Sequence, residues 1–380
     1  MGMGQTMLFA ILPPAARSLA LSEIETGLII TASAFFFMIF APIWGRLADK
    51  WGRRPVFTFG LACYVITTFG FTLVLDAGYR GVLAGTTLLG ALVAARVAFG
   101  MSTGGIQTGA TAMMADATSA LGRTAGMALV GASFGFGAVL GPALVSLLAP
   151  FGILHPLYAV AVIAFSMGIF ARVMLPETAH AQIVTRVTLS PRDPRILPVL
   201  LLSFVTYLTI SMHNQCFGFY VQDLLQTEAQ ETARNVGFCY IALGIAMIFA
   251  QGVLVQVFKP PAQLLLRAGA AVGMAGYAML LLSDALPGLL AAMAIIGFGA
   301  GLLQAGIMSA GSLRVTPQEQ GAAAGLLSAA PAAGFLFGPS LSATLYTVSH
   351  SYPFAANALL IGIAGLAAWR LRIRPVETPG

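Results

Sequence analysis

The chain has 380 residues, of which 58% are hydrophobic and only 8% charged, with a formal net charge of +6. A mean hydropathy of +0.89 excludes a soluble domain and describes a helical protein that crosses a membrane many times. The short alternating segments of a transmembrane β-barrel are missing, and the basic excess reports orientation rather than nucleic-acid binding.

Residues 1–12 are apolar, and Pro13-Pro14 is expected to close this first helix early. A span needs about 20 residues, so helix 1 is expected to be short or to lack its beginning, an internal start codon being the preferred explanation. No basic region precedes residues 3–12, so no cleavable signal peptide is expected. Arg17, Glu23 and Glu25 then make an outer loop, and helix 2 covers 26–44.

Next comes Gly45-Arg46-Leu47-Ala48-Asp49-Lys50-Trp51-Gly52-Arg53-Arg54-Pro55, with five charges in eleven residues. Charges this dense do not lie in hydrocarbon, so the stretch is expected to be a tight hairpin loop. Four of the five are basic, which places it in the cytoplasm. Its glycines suit a reversal, and Asp49 suits a cap on a neighbouring helix.

Helices 3 to 6 are expected over 56–75, 82–114, 124–148 and 156–175, with 76–81 and His155 outside and 116–123 inside. Residues 176–198, rich in Pro, Arg and Thr, read as a cytoplasmic linker between an N-terminal half, 1–175, and a C-terminal half, 199–380. Helices 7 to 12 follow over 199–221, 235–256, 264–282, 287–310, 321–347 and 354–371, before a basic tail with Arg370, Arg372 and Arg374. The fold class is therefore an all-α membrane protein of twelve transmembrane helices, with both termini cytoplasmic. Of the 19 Lys and Arg residues, only Arg17, Arg80 and Arg234 fall in outer segments and Arg96 within a span, as the positive-inside rule requires.

An internal repeat supports two halves. A shift of 197 positions aligns Gly100 with Gly297, Gly104 with Gly301, Gln107 with Gln304, Gly137 with Gly334, Gly141 with Gly338 and Pro142 with Pro339. The charged stretch at 45–55 has no counterpart. Gly131, Gly135, Gly137, Gly141 and Pro142 lie on helix 5, where small residues let membrane helices approach and proline kinks the backbone. Arg96 is the one basic residue expected within a span, which marks a functional position. Cys63, Cys216 and Cys239 are expected to pack as small hydrophobes, so neither metal nor disulfide is expected. No phosphate-binding loop is present, and no ligand or nucleophile–base cluster points to an enzyme.

The stretch 45–54 resembles the signature loop of the major facilitator superfamily, Gly-x-Leu-(Ala/Gly)-Asp-(Arg/Lys)-x-Gly-Arg-(Arg/Lys), and meets every specified position. That likeness implies a conformational latch of Gly45, Asp49, Gly52, Arg53 and Arg54. Asp116 and Arg123 resemble the family's Asp-x6-Arg turn, with Asp116 pairing with Arg53 and Asp49 facing the N-terminus of helix 11. Gly137-Ala-Val-Leu-Gly141-Pro142 resembles the antiporter motif of the drug-exporting, tetracycline-exporter-like branch, and departs from it at Val145 and Ser146. Arg96, followed by Gly100, resembles the helix 4 arginine linked to proton coupling.

In this superfamily helices 1, 4, 7 and 10 line a central cavity, which would gather Gln5, Thr103, Gln107, Tyr207, His213, Asn214, Gln215 and Gln304. His213, a residue type whose ordinary pKa lies near neutral pH, joins Arg96 as a coupling candidate. No Asp or Glu falls within an expected span. The resemblance implies a secondary transporter without a cofactor, exporting a small organic compound, drug-like or a siderophore-like metabolite, against protons. It would be a monomer in the lipid bilayer of a bacterial inner membrane. A uniporter or importer on the same fold, and a non-transporting receptor or assembly subunit, stay open as alternatives.

Overall fold

The computed structural model describes residues 2–117, 123–175, 189–316 and 319–370, which form twelve helices. They are α1 Gly2–Ser18, α2 Glu23–Trp51, α3 Arg53–Tyr79, α4 Gly85–Ala117, α5 Arg123–Leu148 and α6 His155–Met174. After the linker come α7 Leu197–Leu225, α8 Ala229–Phe258, α9 Ala262–Leu282, α10 Leu286–Leu313, α11 Gln320–Val348 and α12 Tyr352–Arg370. Helices alone suit this composition, because in hydrocarbon each backbone polar group must be bonded within its own segment. Among the described residues ten of them are long and apolar enough to cross a membrane.

The helices fall into two compact units. One holds α1–α6 with Thr227–Gly237 at the start of α8; the other holds α7, the rest of α8 and α9–α12. Within the first, α4 packs on α2 and α3, α5 on α1, and α6 on α3. Within the second, α10 packs on α9, α11 on α7, and α12 on α9.

Four expectations are corrected. Pro13 and Pro14 do not end α1, which runs on to Ser18 with both prolines buried. A membrane helix tolerates them where neighbouring helices re-satisfy the freed backbone groups, and at its end Ser18 Oγ donates to the Pro14 carbonyl at 3.0 Å.

Helix 2 starts earlier than expected. Ser22 Oγ accepts from Glu25 N at 3.2 Å while Ser22 N donates to Glu25 Oε2 at 2.8 Å, a capping box worth about 1 kcal/mol. Arg17 pairs with Glu23 at 2.9 Å, so the outer loop shrinks to a turn.

The charged stretch at 45–55, expected as a tight hairpin loop, is almost wholly helical. Gly45 to Trp51 continue α2, α3 begins at Arg53, and the reversal is confined to Gly52. Its φ of 94° and ψ of 157° lie in a region open to glycine and strained for any other residue. A helix satisfies the backbone of this segment while Arg46, Asp49 and Lys50 stay exposed.

Finally, carboxylates do lie on membrane helices. Helix 7 extends past Val221 to Leu225 and so carries Asp223.

Candidate functional site

The junction between α2 and α3 is fixed from one side by Trp44. It is buried with Ala48 and Val56, and its Nε1 donates to the Met101 carbonyl of α4 at 2.6 Å. Beyond this anchor Asp49 is 61% exposed and Arg53 only 13%, and the two side chains approach to 3.8 Å at i,i+4 spacing. Arg54 Nη2 donates to the Arg172 carbonyl at the end of α6. Asp116, Arg123 and Gly131 lie outside the residues whose side chains are described. A Cβ on Gly45 would meet nothing within 4 Å among the described residues, so packing does not demand glycine there.

Arg96 lies within α4, 9% exposed. Its guanidinium carbon sits 4.1 Å from the Phe99 ring centroid and 5.7 Å from that of Phe71, and Nε has no hydrogen-bond partner among the described residues. Aromatic faces thus stand where a carboxylate would ordinarily stabilise the charge.

The glycines of α5 face α1. A Cβ on Gly137 would lie 3.0 Å from Met3 N, and one on Gly141 would meet the Met3 carbonyl and lie 2.5 Å from Thr6 Oγ1. A Cβ on Gly135 would meet nothing within 4 Å among the described residues, so it is not part of the contact. The second unit repeats the device. A Cβ on Gly334 of α11 would lie 2.7 Å from Leu208 N of α7, and one on Gly338 would lie 2.5 Å from Ser211 Oγ. Pro142 and Pro339 lie inside their helices next to these contacts. Gly100 and Gly297 likewise face α2 and α8 respectively.

His213 is buried inside the second unit. Its ring stacks on Phe217 at 4.8 Å and meets Tyr240, Tyr277 and Phe354 edge-on at 6.2, 5.8 and 5.8 Å. Neither ring nitrogen has a hydrogen-bond partner among the described residues. Of the residues expected in a cavity, Thr103 and Gln215 are fully buried within their units, and Thr103 Oγ1 donates to the Phe99 carbonyl at 2.8 Å. Gln5, Tyr207, Asn214 and Gln304 are half-buried and Gln107 is exposed. Asn214 Oδ1 accepts from Tyr240 Oη at 3.2 Å. Gln304 Oε1 accepts from Gln251 Nε2 at 3.4 Å, and Gln251 sits in a π-helical turn, Phe249–Leu254, of α8. Such turns recur at functional positions in helices.

Two clusters were not anticipated. Near the end of α7, Asp223 Oδ2 accepts from Tyr346 Oη and lies 3.4 Å from His350 Nδ1, with the Tyr346 and His350 rings stacked at 4.9 Å. Before α7, Arg195 forks onto Glu319 with Nη2–Oε1 and Nη1–Oε2 distances of 2.8 and 3.0 Å, and its Nη2 also reaches Asp193 Oδ2 at 2.8 Å. Glu319 further accepts from Thr316 N at 3.0 Å and occupies the N-cap of α11, where the helix dipole favours an anion. Hydrogen bonding from Arg195 holds the Glu319 carboxyl down to about 2 and Asp193 below the ordinary range. The same bonds hold the Arg195 guanidinium above its own.

The profile described as Major Facilitator Superfamily matches residues 1–330 and again 199–380. Multidrug resistance protein 2 of Bacillus subtilis is 22% identical over 387 residues, covering 97% of this chain and 92% of its own. The quinolone resistance protein NorA of Staphylococcus aureus is 28% identical over 170 residues, 44% of this chain and 41% of its own. Among solved structures, the nucleoside transporter NupG aligns with a TM-score of 0.76 at 12% identity, covering 97% of this chain and 96% of its own. A bacterial homologue of the lysosomal transporter Spinster, inward-facing and occupied, aligns at 0.72 and 13%, covering 97% and 93%. These structural likenesses show the fold. With the profile matched over both halves, the chain belongs to the Major Facilitator Superfamily: it is an integral membrane secondary transporter of small molecules and not an enzyme.

Proposed function

We propose that this transporter exports a small organic compound, drug-like or a metabolite, in exchange for protons, across a bacterial inner membrane with both its termini cytoplasmic. The observation that carries this reading is the seating of Gly137 and Gly141 against α1, in a string that resembles the antiporter motif. The full-length likeness to Multidrug resistance protein 2 supports it. Residues 1–175 and 199–380 act as the two rocking halves, with 176–198 as the tether. The α2–α3 junction with Asp49, Arg53 and Arg54 serves as the latch that breaks when they rock.

Titratable groups for coupling are available on α7. His213 sits in its aromatic box, and Asp223 shares its proton environment with Tyr346 and His350. Arg96 biases the first unit without losing its own proton, since a guanidinium keeps it throughout the working range. Tyr207, Asn214, Gln304, Gln107 and Gln5 supply polar contacts for substrate.

The test is flux of a fluorescent drug panel in proteoliposomes with an imposed pH difference. An exporter of this kind concentrates substrate against its gradient when the pH difference is present and stops when an ionophore collapses it. Substrate that merely equilibrates, whatever the gradient, would make the protein a facilitator.

A further inference from the structure

Where α9 meets the end of α12, Arg267 Nη2 donates to the Trp369 carbonyl at 3.2 Å, and its guanidinium carbon lies 4.3 Å from the centroid of the Trp369 ring. The carbonyl belongs to the last turn of α12, so the arginine serves as a cationic cap on a helix C-terminus. Its Nε is buried and has no hydrogen-bond partner among the described residues. Trp369 is 64% exposed, and Arg370 beside it is exposed as well. Neither Arg267 nor Arg370 has a carboxylate in ion-pair range among the described residues, and the sequence adds Arg372 and Arg374 directly after.

The first unit repeats one part of this construction, an arginine on the last-turn carbonyl of a helix, at the corresponding corner. Arg54, at the start of α3, donates to the Arg172 carbonyl in the last turn of α6, with exposed Trp51 three residues before Arg54. The 197-residue shift that aligns the halves sets Arg172 on Trp369. An arginine cap built twice from different residues is unlike the chance position of a surface arginine.

A guanidinium held at a span end by a π face and one carbonyl still has N–H groups to give, in a place where water is scarce. An exposed tryptophan at a helix end marks headgroup level. The complementary group at that depth is a phosphate, which a planar guanidinium takes in a charge-assisted fork. Inner-leaflet anionic lipids draw juxtamembrane arginines in just this way. We propose that the α9–α12 corner is a docking site for an anionic phospholipid of the inner leaflet. Arg267 and Arg370 take the phosphate oxygens and Trp369 lies along the headgroup. The leaflet rests on the orientation given above, whereas the binding itself does not.

The full-length protein, purified in a neutral detergent, is titrated with phosphatidylglycerol or phosphatidylcholine while its melting temperature is followed. Phosphatidylglycerol is expected to raise it saturably, and phosphatidylcholine is not. Arg370→Gln, an exposed change that leaves the fold alone, should weaken phosphatidylglycerol binding roughly fivefold. Arg267→Gln with Arg370→Gln should weaken it by about 25-fold, two such factors multiplied. Arg192→Gln, at another exposed arginine, should leave it unchanged. Equal responses to both lipids, or unchanged affinity in Arg370→Gln, would overturn the proposal. So would an equal loss in Arg192→Gln, or inorganic phosphate reproducing the stabilisation. Failure of the proton-driven flux would leave these titrations unmoved, so the two readings are separable.

Discussion

Replacing Gly334 by alanine is expected to push α11 off α7. A Cβ at this position would lie 2.7 Å from Leu208 N and from the Tyr207 carbonyl carbon, both backbone atoms that cannot swing aside. Overpacking of this kind costs about 1–3 kcal/mol. Alanine in place of glycine inside a helix gives back about 1 kcal/mol. The net loss is therefore about 0–2 kcal/mol, too small a window to read by itself.

Gly325→Ala supplies the reference. It lies on the same helix, and its Cβ would meet nothing within 4 Å among the described residues, so only the helix-propensity gain applies. The difference between the two variants isolates the clash at about 1–3 kcal/mol. For a unit of this size that separates their melting temperatures by about 2–12 °C. Cys216 and Cys239 are buried, so a thiol-reactive dye on heating reports unfolding directly. If the two variants melt within a degree of each other, the close approach of α11 to α7 is not as described, and the argument from Gly137 and Gly141 falls with it.

Labelling of single cysteines at positions 50 and 190 should succeed only from the cytoplasm, and at position 80 only from outside. Reaction at position 50 from outside would refute the orientation. Asp49→Asn should abolish transport while changing the melting temperature little, since the side chain is 61% exposed and an exposed i,i+4 pair is worth about 0.3–0.5 kcal/mol. Normal transport by that variant would remove the latch role. His213→Phe should raise thermal stability, because a buried polar ring without partners carries a desolvation penalty of about 1–3 kcal/mol that phenylalanine does not. Loss of the proton link in the same variant would tie coupling to this ring, and an intact link would move it to Asp223.

Much of the fold was legible because hydrocarbon imposes a simple rule on sequence. Apolar runs of helical length can only be helices, and the 197-residue register between Gly137-Pro142 and Gly334-Pro339 reports two seats of the same shape. The ends of the helices were not legible by that rule. Charge density at 45–55 reads as a loop, yet a helix tolerates charges wherever it leaves the hydrocarbon, and only Gly52 was needed to turn the chain. Ser22 and Glu25 did announce the start of α2 through the capping-box spacing, a signal hydropathy hides. Hydropathy also truncated α7 at Val221 and so concealed Asp223. The aromatic box of His213 draws on α7, α8, α9 and α12, and no local pattern in a single chain encodes such a meeting.

The Arg195 cluster shows the same limit and has a consequence for how the second unit is held. The 45–54 signature has no copy in this unit, where Lys259-Pro260-Pro261 forms the corresponding turn. Instead, Arg195 ties the segment before α7 to Glu319 at the N-terminus of α11, across 124 residues of sequence. Glu319 titrates well below the ordinary carboxylate value near 4.3. A depressed carboxyl stabilises the folded state above its unfolded value, and that contribution fades as pH falls from about 4.3 towards about 2. At neutral pH the clamp is therefore fully formed, and proton gradients near neutrality should not open it. Arg195→Gln and Glu319→Gln should each lower the melting temperature at pH 7, and the double variant should lower it little further, since either change already breaks the fork. Repeated at pH 3, the effect of Glu319→Gln should shrink, because below the ordinary carboxylate value the unfolded parent chain takes up a proton that folding must then release. Strictly additive losses at pH 7, or an effect of Glu319→Gln that grows on acidification, would show that the two residues do not act on each other.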